Sequence, residues 1–401
     1  MASLLIAVIY LAFISMGLPD AILGAAWPTM HERLGVPVSY AGFLTILMSS
    51  GTVVSGLLSN RLIRTFGTGR LTVVCTGLTA MGLFGFAFSS SFWQLCLWAI
   101  PYGLGAGSID AALNSYVALH YKSRHMSWIH FSWGLGATAG PVIMGFCLTR
   151  GYAWTSGYWI AGIVQTGMVL ALLMSLPLWK SAVPTPAPGR TEHHSSSRDA
   201  LRLPGVKGIL FAFFCYCALE STCGIWASSY MVIHRGIDAA AAAKWASFFY
   251  LGITIGRFVL GFIADIVGNR RMIRAGQTCV AVGALLVLLP LDTALTFSGL
   301  MLLGLGCAPI YPCLLHATPD NFGPSNSQAL MGIQMACAYT GSMLMPPVVG
   351  IAADWIGIVI YPYILLALIA AMAIMTERLN ATIRRRTVST VPDTPSAGST
   401  P

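Results

Sequence analysis

Charged side chains are scarce in this chain. Only 9% of its 401 residues are Asp, Glu, Lys or Arg, whereas 56% are apolar. A soluble domain has about 25% charged residues, so this sequence has too few of them to cover a surface that faces water. The composition therefore excludes an ordinary soluble protein and predicts a protein embedded in a membrane.

The sequence also lacks common signatures of catalysis and of metal or nucleotide binding. It contains neither a Walker motif nor an HExxH sequence, which mark nucleotide-binding and zinc-dependent proteins. None of its ten cysteines forms a CxxC pair, and we interpret them as small apolar residues rather than metal ligands or disulfides. The sequence therefore predicts no cofactor and no resident metal, and it disfavours a membrane enzyme or receptor.

Long apolar runs dominate what is present. A helix needs about 20 apolar residues to cross a bilayer, and twelve runs reach roughly that length. They cover residues 4–26, 39–60, 71–90, 92–117, 128–149, 155–178, 207–232, 244–266, 272–290, 295–316, 327–350 and 357–377. The runs are continuous rather than alternating, which predicts an all-α membrane protein with twelve transmembrane helices.

The basic residues predict an orientation for these spans. With both termini in the cytoplasm, 17 of the 22 Lys and Arg lie on the inner side, four lie outside, and Arg257 is left within a span. This is the distribution that the positive-inside rule describes. We therefore expect a multi-pass protein of the inner cell membrane that contacts anionic lipid. The net charge of +9 then needs no nucleic-acid partner.

Several motifs recur half a chain apart and in the same order. Gly103-Leu-Gly105 returns as Gly304-Leu-Gly306, and Asp20 is answered by Glu220. Such repeats are typical of transporters made of two related halves. We predict two six-helix bundles at 1–179 and 205–378, joined by a cytoplasmic linker at 180–204. Residues 379–401 are expected to be a disordered cytoplasmic tail.

Three acids and one base lie inside the predicted spans: Asp20, Asp110, Glu220 and Arg257. A charge at the bilayer centre costs roughly 2.5–3.5 kcal/mol on insertion scales, so these side chains should face an aqueous cavity or one another. Asp110, Glu220 and Asp20 are the candidates for proton coupling. Structural pairing is the alternative for each acid, and it is the favoured role for Arg257.

Aromatic and polar residues in the same spans are candidates for solute contact. Aromatic faces stack on sugar rings, and polar groups can bond the hydroxyls. The candidates are Asn114, Trp27, His130, Trp133, Trp226, Tyr230 and Gln334. Membrane-interface belts are the alternative role for the aromatic residues.

One loop pattern resembles the major facilitator superfamily. Gly261, Asp265 and Arg271 occupy the positions of its loop motif, whereas the first copy has Asn60 where an acid is usual. The resemblance implies gating or structural roles for Asp265, Arg271, Gly261 and, with this departure, Asn60. It also implies two pseudo-symmetric bundles that expose a central site alternately to either side.

Span 4 narrows the resemblance further. Its sequence Gly105-Ala-Gly-Ser-Ile-Asp110-Ala-Ala-Leu-Asn114 is similar to the fucose/glucose–cation symporter group. This implies symport of a small polar solute, a sugar, with H⁺ as the coupling ion and Na⁺ as the alternative. We expect the protein to act as a monomer. The open alternative is a proton-coupled exporter of drugs or metabolites, because Gly136-x-x-x-Gly140-Pro141-x-x-x-Gly145 resembles an antiporter signature.

Overall fold

The computed structural model describes residues 2–121, 123–179, 201–289 and 292–389. Most of the predicted linker, residues 180–200, lies outside this part of the chain, as do residues 390–401. Some helical side chains are also outside it, among them those at positions 60 and 265, together with Gly261. The division into two bundles and a linker therefore stays a prediction.

The described residues are almost entirely helical and contain no β-strand. The first part contains α1 (Ala2–Asp20), α2 (Ile22–Leu34), α3 (Tyr40–Phe66), α4 (Thr68–Phe88), α5 (Phe92–His120), α6 (Ser123–Thr149) and α7 (Thr155–Trp179). The second part contains α8 (Val206–Ser229), α9 (Ala239–Val267), α10 (Asn269–Leu288), α11 (Thr293–His316), α12 (Thr318–Phe322), α13 (Pro324–Ile356) and α14 (Tyr361–Ser389). A π-helical turn, Tyr230–His234, extends α8, and a 3-10 turn, Ile358–Ile360, precedes α14.

The twelve predicted spans are confirmed as helical stretches. Within the described residues, ten helices are long and apolar enough to cross a membrane. The two remaining spans are α5 and α9, each 29 residues long, and they contain Asp110 and Arg257. The first span is divided between α1 and α2, because the chain turns at Ala21 immediately after Pro19 and Asp20.

The recurring Gly-Leu-Gly motif has the same packing role in both parts of the chain. A Cβ atom on Gly103 of α5 would collide with the Met48 carbonyl of α3, and one on Gly304 of α11 would collide with the Phe249 carbonyl of α9. Only glycine permits such a close approach of two helix backbones. The repeat therefore reports equivalent helix contacts, α5 with α3 and α11 with α9.

Helix α14 is longer than predicted. Residues 379–389, assigned above to a disordered tail, continue this helix to Ser389. Leu379 is buried, and two residues earlier Glu377 accepts two hydrogen bonds of 2.7 Å from Arg274 of α10. Packing and pairing therefore hold the polar end of α14 against α10, which composition alone did not indicate.

The two parts of the chain contact each other along α6 and α9 and also at the end predicted to be extracellular. Helix α2 packs against α8 and α9, whereas α1 packs against α6 and α7 of its own half. Gly42 of α3 leaves room only for the Pro347 backbone of α13. Nearby, the backbone N–H of Ser39 donates to Asp354 Oδ1 over 3.2 Å. Other side chains lie between the halves nearer the middle of the helices, and these form the candidate site.

Candidate functional site

Asp20 lies at the end of α1 and accepts hydrogen bonds from two neighbouring helices. The hydroxyl of Tyr102 on α5 donates to Oδ1 over 2.8 Å, and Nε1 of Trp133 on α6 donates to Oδ2 over 2.9 Å. The Asp20 side chain remains partly exposed. Because both donors are neutral, they fix the carboxyl group in place without supplying a compensating positive charge.

Glu220 of α8 has a different kind of partner. Nη2 of Arg257 on α9 lies 3.5 Å from Glu220 Oε1, and the two side chains are 17% and 22% exposed. The Arg257 guanidinium also lies over the Trp133 ring, 5.5 Å from its centroid. Arg257 is therefore held by one carboxylate and one aromatic face, at a contact long enough to leave part of its hydrogen-bonding capacity unused.

These contacts form a continuous path from the first half of the chain to the second. Trp133 bonds Asp20 through its N–H and faces Arg257 through its ring, and Arg257 in turn pairs with Glu220. We call Asp20, Tyr102, Trp133, Glu220 and Arg257 the central cluster. A relative movement of the two halves would change the contact between Trp133 and Arg257.

Asp110 forms a second acidic position, on α5. The Nδ2 group of Asn114 donates to Asp110 Oδ1 over 2.8 Å and to the Asp110 backbone carbonyl over 2.9 Å. Both side chains are partly exposed. Among the described residues, Glu220 is the one acid of the three inside the spans that forms an ion pair. Asp110 is therefore oriented by an amide of its own helix rather than neutralised by a cation.

His130 adjoins the central cluster. It lies three residues before Trp133 on α6, so the two side chains share one side of that helix. The His130 ring meets Phe13 of α1 edge-on, with 6.0 Å between ring centroids. His130 is only partly buried. The structure therefore places this predicted solute contact beside the site, between α1 and α6.

Trp27 and Trp226 do not face a solute site, and this part of the prediction is corrected. Both side chains are fully buried. The indole N–H of Trp27 donates to the Val38 carbonyl over 2.8 Å, and that of Trp226 donates to the Pro346 carbonyl over 3.0 Å. Each indole N–H thus bonds a backbone carbonyl of a neighbouring segment near the contact between the halves.

Tyr230 and Gln334 are corrected in the same way. Tyr230 is 1% exposed and donates its hydroxyl to the Val287 carbonyl over 3.1 Å. Gln334 is fully buried, and its amide nitrogen donates to the Thr318 hydroxyl over 3.0 Å. Their polar groups form hydrogen bonds with other buried groups of the protein, so in this conformation they are not available to a solute.

The predicted gating residues are placed only in part. Arg271 is exposed near the start of α10, and it is Arg274, one turn further, that pairs with Glu377. Asn60, Asp265 and Gly261 lie outside the described side chains. The gating roles of these four residues stay predictions.

Tyr102 is a member of the cluster that lies beside the acids in the sequence but is not among the predicted site residues. It lies eight residues before Asp110 on α5, a spacing that returns to nearly the same side of a helix after two turns. That spacing was the available signal. It could not show that the hydroxyl reaches Asp20, because that contact joins residues of two different helices.

Comparison with known proteins identifies the family to which this chain belongs. The sequence model of the Major Facilitator Superfamily matches residues 9–244 and 209–399. The glucose/mannose transporter GlcP of Bacillus subtilis is 21% identical over 76% of this chain and 77% of its own length. Bypass of stop codon protein 6 of Saccharomyces cerevisiae is 24% identical over 63% of this chain, but the match spans only 55% of the yeast protein.

Solved structures agree with the fold. A mutant of the peptide transporter POT, in complex with sulfate, superposes with a TM-score of 0.76 over 96% of this chain and 95% of its own, at 15% identity. An identity this low supports the fold alone. Together with the family match along both parts of the sequence, it shows that the chain belongs to the Major Facilitator Superfamily and is a membrane transporter.

Proposed function

We propose that this transporter is a proton symporter for a small polar solute of the sugar class and works by alternating access. The observation that carries the proposal is the environment of Asp110. This partly exposed carboxyl group lies inside a predicted span, and among the described residues it accepts a hydrogen bond from Asn114 and forms no ion pair. A carboxyl group in this setting can take up and release a proton without breaking an ion pair.

Coupling requires that the proton on Asp110 affect the rest of the site. Asp110 lies two turns along α5 from Tyr102, whose hydroxyl donates to Asp20 Oδ1. A change in the charge of Asp110 would therefore act on the helix that holds one of the two donors to Asp20. Through Trp133, the change reaches Arg257 and the second half of the transporter. The central cluster is thus suited to link proton binding to the relative position of the halves.

The sugar class is supported by the chemistry of the exposed groups. The Asn114 amide and the three carboxyl groups can bond hydroxyls, and Trp133 offers an aromatic surface beside them. GlcP, described above, is named as a glucose/mannose transporter. Tight approach of the halves at the predicted outer end fits a site that is open toward the cytoplasm in this conformation.

The exporter alternative gains no support from the glycines that suggested it. A Cβ atom on Gly136 would collide with the Ile14 carbonyl, and one on Gly140 would collide with the Leu18 carbonyl. Both contacts join α6 to α1 within one half. Close helix packing therefore accounts for this motif without a role in antiport.

The test is transport by purified protein in vesicles with an imposed proton gradient. A thermal-shift screen against sugars, nucleosides and organic acids first identifies a solute that stabilises the protein. One proton crossing 100 mV supplies about 2.3 kcal/mol, enough for roughly 50-fold accumulation of a neutral solute. Asp110→Asn should abolish accumulation and retain exchange of labelled for unlabelled solute.

The matched control is Asp320→Asn, which alters an exposed acid on α12 and should leave uptake normal. Normal uphill uptake by Asp110→Asn would refute proton coupling at this residue. A screen in which nucleosides or organic acids, but no sugar, stabilise the protein would refute the sugar class and leave the coupling proposal standing.

A further inference from the structure

A cavity lies at the end of α10 and α14 predicted to be cytoplasmic, and none of its lining residues belongs to the central cluster. Its volume is about 790 Å³, and four arginines contribute to its wall. The lining residues are Arg270, Arg274, Glu377, Asn380, Ala381, Arg384 and Arg385. With one acid against four bases, this cavity is strongly cationic, and we call it the arginine cavity.

The inner wall of the arginine cavity is fixed by contacts between the two helices. Arg274 donates two hydrogen bonds to Glu377, which occupies both oxygens of that carboxylate. One turn deeper, Gln277 donates to the Thr376 hydroxyl over 3.0 Å in a buried contact. Among the described residues, Arg270, Arg384 and Arg385 have no ion-pair partner. Three guanidinium groups thus remain available at a preformed recess.

Guanidinium groups bind phosphate oxygens through paired N–H donors, and several of them together can bond more than one oxygen of the same phosphate group. The start of α10 adds to this field. Its first turn contains Arg270 and no acidic residue, so the partial positive charge of the helix N-terminus is not offset there. The chemistry of the cavity therefore selects a phosphate group.

The surroundings of the cavity indicate where that phosphate comes from. Ile374 lies one turn before Glu377 on the same side of α14, and half of its surface is exposed. On α10, Thr278 and Val282 follow Arg274 at four-residue spacing and are also exposed. Each helix thus has arginine at its polar end and exposed apolar side chains further into the membrane. A bound lipid would place its headgroup at the arginines and its acyl chains along the apolar side chains.

We infer that the arginine cavity binds the phosphate headgroup of an anionic membrane phospholipid, with its acyl chains along the exposed stripes of α10 and α14. This site is separate from the transport pathway, so the inference does not depend on the identity of the solute or the coupling ion. The lipid would tie the polar extension of α14 to the membrane surface.

The experiment is native mass spectrometry of the purified full chain with dioleoyl phosphatidylglycerol, and with dioleoyl phosphatidylcholine as the uncharged comparison. The wild type should retain the anionic lipid selectively. Arg270→Gln and the double variant Arg384→Gln/Arg385→Gln should weaken retention by about fivefold for each arginine removed. Arg378→Gln is the matched control, because Arg378 is exposed on α14 and is absent from the cavity wall.

Three outcomes would overturn the inference. Equal retention of both lipids by the wild type would show that the cavity does not recognise an anionic headgroup. An equal loss in Arg378→Gln would show a general effect of surface charge. Displacement of the lipid by glycerol 3-phosphate at matched concentration would assign the cavity to a soluble phosphate compound. Unchanged thermal unfolding of the variants confirms that losses reflect binding, since the altered side chains are exposed.

Discussion

Asp20 and Glu220 occupy matching places in the two halves of the transporter, yet their partners differ in kind. Asp20 is bonded by the neutral groups of Tyr102 and Trp133, whereas Glu220 faces the cation Arg257. Neutral donors can hold a carboxyl group whether or not it carries a charge, but a cation favours the charged form. The two carboxyl groups therefore differ in whether their partners are neutral donors or a cation.

This asymmetry has a mechanical consequence because Trp133 contacts both sides. Its N–H serves Asp20, and its ring faces Arg257. A cation above an aromatic face is attracted by about 0.5–2 kcal/mol, depending on desolvation. That attraction is large enough to bias an equilibrium between two conformations, and small enough to be broken in each transport cycle.

Removal of the Arg257 cation should have the largest effect on the difference between the Asp20 and Glu220 sites. Arg257→Gln leaves Glu220 without its ion-pair partner and Trp133 without the charge over its ring. Breaking a buried pair costs about 3–5 kcal/mol, and partial exposure of both side chains reduces this to roughly 2 kcal/mol. We expect a clear drop in the thermal unfolding midpoint and loss of uptake, whereas Arg378→Gln should behave as the wild type.

The double variant Glu220→Gln/Arg257→Gln sharpens this result. If the two charges mainly compensate each other, the double variant regains most of the stability lost by Arg257→Gln, and the interaction can be obtained from a double-mutant cycle. Additive losses in that cycle would mean that the 3.5 Å contact contributes nothing and that Glu220 and Arg257 act separately.

Trp133→Phe tests the link between the two sides and should have an intermediate effect. It removes the N–H bond to Asp20 and keeps a smaller ring beneath Arg257. We expect the protein to lose about 1–2 kcal/mol of stability. If the same interaction energy is lost at the rate-limiting step of transport, uptake should fall roughly tenfold. Trp93→Phe, at a side chain that is 75% exposed, is the control. Equal effects of the two substitutions would remove Trp133 from the coupling path.

The fold was predictable because membrane thickness imposes a simple length rule on apolar runs. What the rule could not show is a helix end set by tertiary contact. The turn at Ala21 follows Pro19 and Asp20 inside an apolar run, and the extension of α14 depends on the pairing of Glu377 with Arg274. Neither the turn nor the ion pair can be predicted from hydropathy.

The site was predictable in its charged members and less so in its aromatic ones. A charge inside a span is costly wherever it lies, so Asp20, Asp110 and Arg257 stand out from the sequence alone. An aromatic residue can be packing or ligand, and the choice depends on its neighbours. Trp27 and Trp226, which recur in both halves, serve packing, whereas Trp133 joins the cluster. Recurrence of an aromatic residue therefore indicated a structural role here.

The smallest effect is expected when Asp20 loses only one of its two neutral donors. Tyr102→Phe removes the hydroxyl that lies 2.8 Å from Asp20 Oδ1 and keeps the ring, which stacks on Phe86. A single hydrogen bond of this kind is worth about 1 kcal/mol, so we expect a small fall in the unfolding midpoint and a partial loss of uptake. Tyr158→Phe is a close control, because Tyr158 also packs on Phe86 but its hydroxyl donates to the Met30 sulfur, over 3.8 Å, rather than to a carboxyl group. If Asp20, in addition to Asp110, exchanges a proton during transport, Tyr102→Phe should alter the dependence of uptake on external pH while Tyr158→Phe does not. The same pH dependence in both variants would instead leave Asp20 a structural acceptor, equivalent in role to a buried amide.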